Sequence, residues 1–154
     1  MIMRILLYVM LGCMMIGQVA AGQTPVEKVV MEFEGVEGAR DFIAKGGPRL
    51  MIAKNFLKTT NLASLASDAD QIYVLKMGAA SQQDKAAFLE KLHAALKTYE
   101  YHGMHPSKNG EVEAYINRSD DGYITELVLY NPESYVLNVL YGNFPINVLQ
   151  QIET

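Results

Sequence analysis

Two histidines and a glutamate, placed close together in the second half of the chain, are of residue types found in proton-transfer and metal sites. On a strand, Glu100 and His102 would share one face, and His105 would lie on the other. Gly103 and Pro106 argue against the helix that would bring both histidines to one side. Zinc needs at least a third protein ligand, and none is obvious nearby. We therefore interpret the histidines as residues of a strand end and a loop, and we predict no metal and no cofactor.

Glu126 is a second candidate, because this carboxylate lies inside the apolar run from Ile124 to Tyr130. If Glu126 were buried, its pKa would be raised, and with Glu113 or His102 on the same face it could act as a general acid or base. The alternative is an exposed carboxylate paired with Arg118 or a lysine on a neighbouring strand. The exposed position is favoured, because glutamate is almost never fully buried without a partner. We assign no catalytic residue on this basis.

Tyrosines are the most distinctive feature of the sequence after residue 21. Seven of the eight lie between residues 99 and 141: Tyr99, Tyr101, Tyr115, Tyr123, Tyr130, Tyr135 and Tyr141. Aromatic rings with a polar tip suit binding surfaces, although ordinary strand propensity accounts for them equally well. If Tyr115, Tyr123 and Tyr135 share the open face of a sheet, we expect that face, together with Glu126, to be a ligand or partner surface.

The first 21 residues have the layout of a secretory signal peptide. Met1 to Arg4 carries one positive charge, Ile5 to Ile16 is almost entirely apolar, and Val19-Ala20-Ala21 offers small residues at a cleavage site. The apolar run is shorter than the roughly 20 residues of a membrane span. The sequence therefore predicts export to the periplasm or the extracellular space, with one domain over residues 22–154.

Cys13 leaves a second location open. Gly12-Cys13 fits the step at which a lipoprotein signal is cut and the cysteine acylated. Met14 and the residues after it continue the apolar run, where a polar tether would be expected. Membrane attachment is expected only if Cys13 is lipidated.

Composition excludes several classes of function for residues 22–154. This part of the chain has 12 basic and 17 acidic residues, a net charge of −5, and no cysteine. A cysteine nucleophile, a thiolate metal site and a redox pair are therefore excluded. Because no basic stretch is evident, we expect no nucleic-acid partner. The partner is expected to be an unknown protein or a small apolar ligand.

Periodicity and turn signals predict an α+β fold. We expect helices that begin at Thr24-Pro25, at Arg49 and at Ser81, because capping residues or an apolar stripe mark each of them. The expected strands cover residues 41–45, 72–77, 112–117, 123–130 and 135–141, the last three joined as a meander by turns. A closing helix is expected over residues 145–152. The result is a mostly antiparallel sheet of about five strands with helices packed on one face.

Four stretches of the chain resemble a family of short exported proteins found mainly in Bacteroidetes-type bacteria, described as domain of unknown function 4252. The matching stretches are Phe42-Ile43-Ala44-Lys45, the run from Tyr99 to Met104, the run from Gly122 to Leu129, and the run from Leu140 to Ile146. The chain departs from the family pattern at Ala44 and at Gly46-Gly47-Pro48. The resemblance implies export and an α+β fold, and it transfers no catalytic residue.

The sequence therefore favours a non-catalytic binding module of the cell envelope. Such a module would work through a tyrosine-bearing sheet surface or through a groove between the sheet and the helices. A carrier of a small apolar ligand, held in a dry pocket lined by residues such as Phe88, Leu92 and Val128, is the first alternative. An envelope enzyme that uses Glu126 and His102 is the second.

Overall fold

In the part of the chain that the structure describes, three helices lie around a single six-stranded sheet. The computed structural model describes residues 23–60, 62–98, 101–104 and 112–148. The helices are α1 (Pro25–Phe33), α2 (Gly47–Leu57) and α3 (Gln82–Thr98). The strands are β1 (Arg40–Ala44), β2 (Ala69–Lys76), β3 (His102–Met104), β4 (Glu113–Arg118), β5 (Ile124–Asn131) and β6 (Val136–Phe144). Two short 3-10 turns, Ala63–Leu65 and Ile146–Val148, complete this part of the chain.

The start of α1 follows from its sequence. The Thr24 side chain accepts a hydrogen bond of 3.2 Å from the backbone N–H of Glu27, and Pro25 occupies the first helical turn. Val26 and Val30 are fully buried, as the apolar stripe predicts. Glu27, three residues after Thr24, is directed into the protein and makes no capping contact with the Thr24 backbone; its side chain accepts a hydrogen bond from Tyr73 instead.

All neighbouring strands of the sheet are antiparallel, in the order β1-β2-β6-β5-β4-β3. The predicted meander of β4, β5 and β6 is confirmed, and the Asp121-Gly122 turn has the positive φ of 88° at Gly122 that glycine favours. The expected count of about five strands is one too low. The sixth strand, β3, has only three residues and no alternating pattern, and it pairs with β4 at the edge of the sheet.

The helices cover both faces of the sheet, which corrects the expectation of a single helical face. On one face, here named the α1 face, Tyr73 of β2 packs in one buried cluster with residues of α1 and α3, among them Phe88. On the opposite face, the α2 face, Ile72 of β2 packs with Ala53 and Leu57 of α2. Successive strand residues point to opposite faces, and Ile72 and Tyr73 are 3% and 0% exposed. A sheet that is apolar on both faces must be covered on both.

Several predicted features lie outside the described residues. These are the signal peptide over residues 1–21, Cys13, Tyr99, Glu100 and His105. The expected closing helix is described only as far as residue 148, where it is a 3-10 turn.

Candidate functional site

A row of polar side chains crosses the α1 face at one end of the sheet. Strand register places Asn117, Glu126, Tyr141 and Gln71 opposite one another on four successive strands. Tyr101, just before β3, extends the row, because the next paired residue, His102, faces Ile116. The amino-terminal end of α1 lies over this row, since Thr24 contacts both Glu126 and Tyr141.

Glu126 is at the centre of the row and is 1% exposed. Tyr101 donates a hydrogen bond of 2.6 Å to Oε1 of Glu126, and Thr24 donates one of 2.7 Å to Oε2. The Tyr141 hydroxyl donates to Oγ1 of Thr24 over 2.7 Å, because the single Thr24 proton is already donated to Glu126. The exposed pairing of Glu126 with Arg118 or a lysine is therefore wrong: two hydroxyl groups donate to the carboxylate and a third supports Thr24, so Glu126 can be buried without a cation.

A second carboxylate, Glu27 of α1, continues the network. The Tyr73 hydroxyl donates a hydrogen bond of 2.8 Å to Oε1 of Glu27, and Nζ of Lys45 lies 3.8 Å from the same oxygen. The Tyr73 ring packs edge-on against Tyr141, with 5.3 Å between the ring centroids. Glu27, 6% exposed, thus connects α1 to β2 and to the end of β1.

Burial dominates the acid–base properties of this cluster. It raises the pKa of Glu126, and the nearby charge of Glu27 acts in the same direction. The hydrogen-bonded hydroxyls of Tyr101 and Thr24, with Tyr141 behind Thr24, oppose the rise without cancelling it. Burial also raises the pKa of the Tyr73, Tyr101 and Tyr141 hydroxyls, and a glutamate charge adds to each rise. The tyrosine hydroxyls therefore stay protonated and act as hydrogen-bond donors. Through these bonds the cluster joins α1 to the sheet.

The structure does not bring Glu126 and His102 together. Glu126 lies opposite Asn117 on the α1 face, whereas His102 lies opposite Ile116 on the α2 face and is exposed. Glu113 does share the α1 face with Glu126, but Glu113 lies opposite Tyr130 and accepts a hydrogen bond from its neighbour Tyr115. No acid–base pair is assembled from these residues in this conformation.

The three tyrosines of the expected binding surface are also separated. Tyr115 is half-buried on the α1 face, with its hydroxyl 3.3 Å from Glu113. Tyr123, 41% exposed, lies in the β4–β5 turn. Tyr135 lies in the β5–β6 turn at the other end of β5, packed under Lys85 with 4.8 Å from Nζ to the ring centroid. These positions form no common sheet surface with Glu126.

The α2 face contains an apolar groove of about 430 Å³ between α2 and strands β1, β2 and β6. A groove between the sheet and the helices was one of the sequence expectations, but the sequence did not predict its position or its lining. Its lining comprises Phe42, Ile52, Ala53, Phe56, Leu57, Leu62, Ile72, Val74, Lys76, Val136, Asn138 and Leu140. The expected pocket around Phe88, Leu92 and Val128 does not coincide with it, because all three are fully buried in the core of the α1 face.

Two observations define the character of the groove. The wall formed by α2 is unusually exposed, with Ile52 61% and Phe56 69% accessible. One end is polar, because Lys76 and Asn138 are the polar residues of the lining. The composition of α2 could have indicated the groove from the sequence. Apolar residues occur on both sides of this helix, whereas a helix that packs on one sheet face needs them on one side only.

Comparisons with protein-family models, with curated proteins and with solved structures gave no match to this chain. Within the described residues, no helix has the length and apolar character needed to cross a membrane. In the same part of the chain, no three histidine, cysteine, aspartate or glutamate side chains are grouped as a metal ion would require.

Proposed function

We propose that this chain is an exported, non-catalytic binding module whose groove on the α2 face holds a small apolar ligand. One observation carries the proposal: an open apolar groove of about 430 Å³ whose wall includes the exposed side chains of Ile52 and Phe56. The volume lies in the range of about 300–1,000 Å³ typical of small-molecule sites. Large apolar side chains that remain exposed beside such a groove are typical of binding surfaces.

The other hypotheses have less support. A tyrosine-bearing sheet surface requires tyrosines on one open face, but Tyr115 and Tyr135 pack against the covered core of the α1 face, and Tyr123 lies in the β4–β5 turn. An enzyme requires polar groups that converge where a substrate can reach them, and Glu126 is 1% exposed. Export remains part of the proposal on the layout of residues 1–21 and on the resemblance to the domain of unknown function 4252 family.

Binding of a neutral apolar dye, N-phenyl-1-naphthylamine, tests the groove. Val74 is half-buried on the groove floor, so Val74→Trp should fill the groove and weaken dye binding by at least about tenfold. Val112→Trp is the matched control, since Val112 is half-buried against the same core cluster but does not line the groove. A wild-type protein that binds no dye, or equal binding by the two variants, would refute the proposal.

A further inference from the structure

The outer surface of α2 carries three large apolar side chains that the fold leaves uncovered. Met51, Ile52 and Phe56 are 67%, 61% and 69% exposed, three of the five large hydrophobic side chains recorded as exposed among the described residues. Ile52 and Phe56 are four residues apart, so they lie one above the other along the helix. Met51 lies in the neighbouring row, together with the exposed polar residue Asn55. Ala53 and Leu57 are turned the other way, towards the sheet.

Basic side chains border this apolar stripe on both sides. Arg49 precedes Ile52 by three residues and Phe56 by seven, which places it along one edge of the stripe. Lys54 and Lys58 follow Met51 at spacings of three and seven, along the other edge. The α2 patch is defined here as Arg49, Met51, Ile52, Lys54, Phe56 and Lys58.

The charge of the α2 patch is not neutralised within the described structure. Residues 42–67 contain four basic residues and no acidic one, in a chain whose net charge is −4. The two ion pairs of the described residues involve Lys45 and Lys91, so Arg49, Lys54 and Lys58 have no acidic partner there. The Arg49 guanidinium lies over the Phe42 ring at 4.9 Å, which leaves its charge available at the edge of the groove.

We propose that the α2 patch docks this protein onto the surface of an anionic lipid bilayer, with α2 lying in the interface. An exposed apolar stripe with one cation along one edge and two along the other fits such a surface, because the apolar side chains enter the headgroup boundary and the cations meet lipid phosphates. Nucleic acid would satisfy the cations and leave Met51, Ile52 and Phe56 in water. The adjacent groove opens beside the same stripe, where an acyl chain would be within reach.

This proposal goes beyond ligand binding in the groove and does not depend on it. Met51, Lys54 and Lys58 belong to the α2 patch and do not line the groove, whereas Val74 lines the groove and is outside the patch. Substitutions at these two sets of positions therefore separate the two proposals.

A single fluorescent reporter tests the docking directly, because the chain contains no tryptophan. Phe56→Trp places an indole at a 69% exposed position, and His93→Trp places one on the exposed side of α3, beyond the opposite face. Both full-length variants are mixed with vesicles of phosphatidylcholine alone, or of equal parts phosphatidylcholine and phosphatidylglycerol. With the anionic vesicles, the emission at position 56 should shift to the blue and be quenched by brominated acyl chains, while the emission at position 93 stays unchanged.

Vesicle co-sedimentation then measures the contributions of charge and apolar contact. Lys58→Glu should weaken the partition onto anionic vesicles by about thirtyfold, and Ile52→Ser by about tenfold. Lys28→Glu, an exposed lysine of α1 on the other side of the sheet, should leave the partition unchanged. All variants keep residues 1–22, so any membrane affinity of that segment cancels in the comparison.

Three outcomes would overturn the proposal. The first is equal binding of the wild-type protein to neutral and anionic vesicles, or no binding to either. The second is a blue shift at position 93 as large as the shift at position 56. The third is a Lys58→Glu protein that partitions like Lys28→Glu. Dye binding in the groove is expected to persist in Lys58→Glu, so a failure of docking is distinguishable from a failure of the ligand proposal.

Discussion

Removal of the Tyr101 hydroxyl tests the buried carboxylate cluster most directly. In the structure this hydroxyl donates a bond of 2.6 Å to Glu126, whose side chain is 1% exposed. Tyr101→Phe keeps the ring and deletes the donor. The nearest matched control is Tyr115→Phe, because Tyr115 is also half-buried on the α1 face and donates to a carboxylate, but over 3.3 Å.

The expected cost follows from the charge state of the acceptor. A hydrogen bond to a charged group contributes about 1.5–3 kcal/mol, and one between neutral groups about 0.5–1.5 kcal/mol. With Glu126 ionised, Tyr101→Phe should therefore lower the free energy of unfolding by about 2 kcal/mol. The bond of Tyr115 is longer and less buried, so Tyr115→Phe should cost about 0.5 kcal/mol or less.

The pH dependence has a definite sign. The folded-state pKa of Glu126 is raised above 4.5, so the stability contributed by the protonated form is fully present below that value. This contribution is lost as the pH rises through the folded-state pKa. The Tyr101 bond lowers the pKa and limits the loss. Tyr101→Phe should therefore destabilise the protein more at about pH 8 than at about pH 4, where the cost falls to about 1 kcal/mol.

Urea unfolding followed by circular dichroism, at both pH values, measures these differences. The same Tyr101→Phe substitution is also made in a Glu126→Gln protein, because the glutamine side chain is neutral at every pH in this range. In that background the cost of Tyr101→Phe should be the same at both pH values. The reasoning is refuted if Tyr101→Phe costs no more than Tyr115→Phe at about pH 8, or if its cost is independent of pH with Glu126 present.

Two further predictions concern the fold. Gly38→Ala should destabilise the protein by more than about 2 kcal/mol, since Gly38 has φ of +86° and an added Cβ would lie 2.3 Å from the Ala79 carbonyl oxygen. Gly35→Ala is the control, because nothing lies within 4 Å of its added Cβ, and this variant should be nearly neutral in the same urea titration. Phe88→Ala should lower the free energy of unfolding by about 3–5 kcal/mol, because Phe88 is fully buried. Phe56→Ala should lower it little, because Phe56 is 69% exposed. Equal losses of unfolding free energy in the two variants would contradict the assigned packing.

Local sequence patterns were enough to place most of the elements. Thr24 and Pro25 fix the start of α1, because a capping hydroxyl and a proline are both favourable at a helix amino terminus. The helix expected from Ser81 begins at Gln82, with the Ser81 hydroxyl accepting a bond of 3.1 Å from the N–H of Asp84. These features depend on neighbours in the sequence, and the energies that decide them act within one turn of helix or one pair of strands.

Local sequence patterns could not predict the buried environment of Glu126. Strand pattern alone left Glu126 as an exposed partner for Arg118, but the register places Asn117 and Tyr141 opposite Glu126 on the two neighbouring strands. The pairing of Glu126 with Tyr141 continues the regular antiparallel register of β5 and β6, and the register shifts only beyond Glu126, towards Ile124. Thr24, distant in sequence by 102 positions, completes the site because α1 packs over that end of the sheet.

The layer order was likewise decided by tertiary structure. The α+β class and the antiparallel meander could be predicted from the sequence, because strand alternation and turn residues are local properties. The sequence by itself did not determine which sheet face each helix covers. Strands that are apolar on both sides, as β2 is at Ile72 and Tyr73, accept a helix on either face. Only the packing of α2 opposite α1 and α3 created the groove, since a groove is space left between elements and no residue specifies it alone.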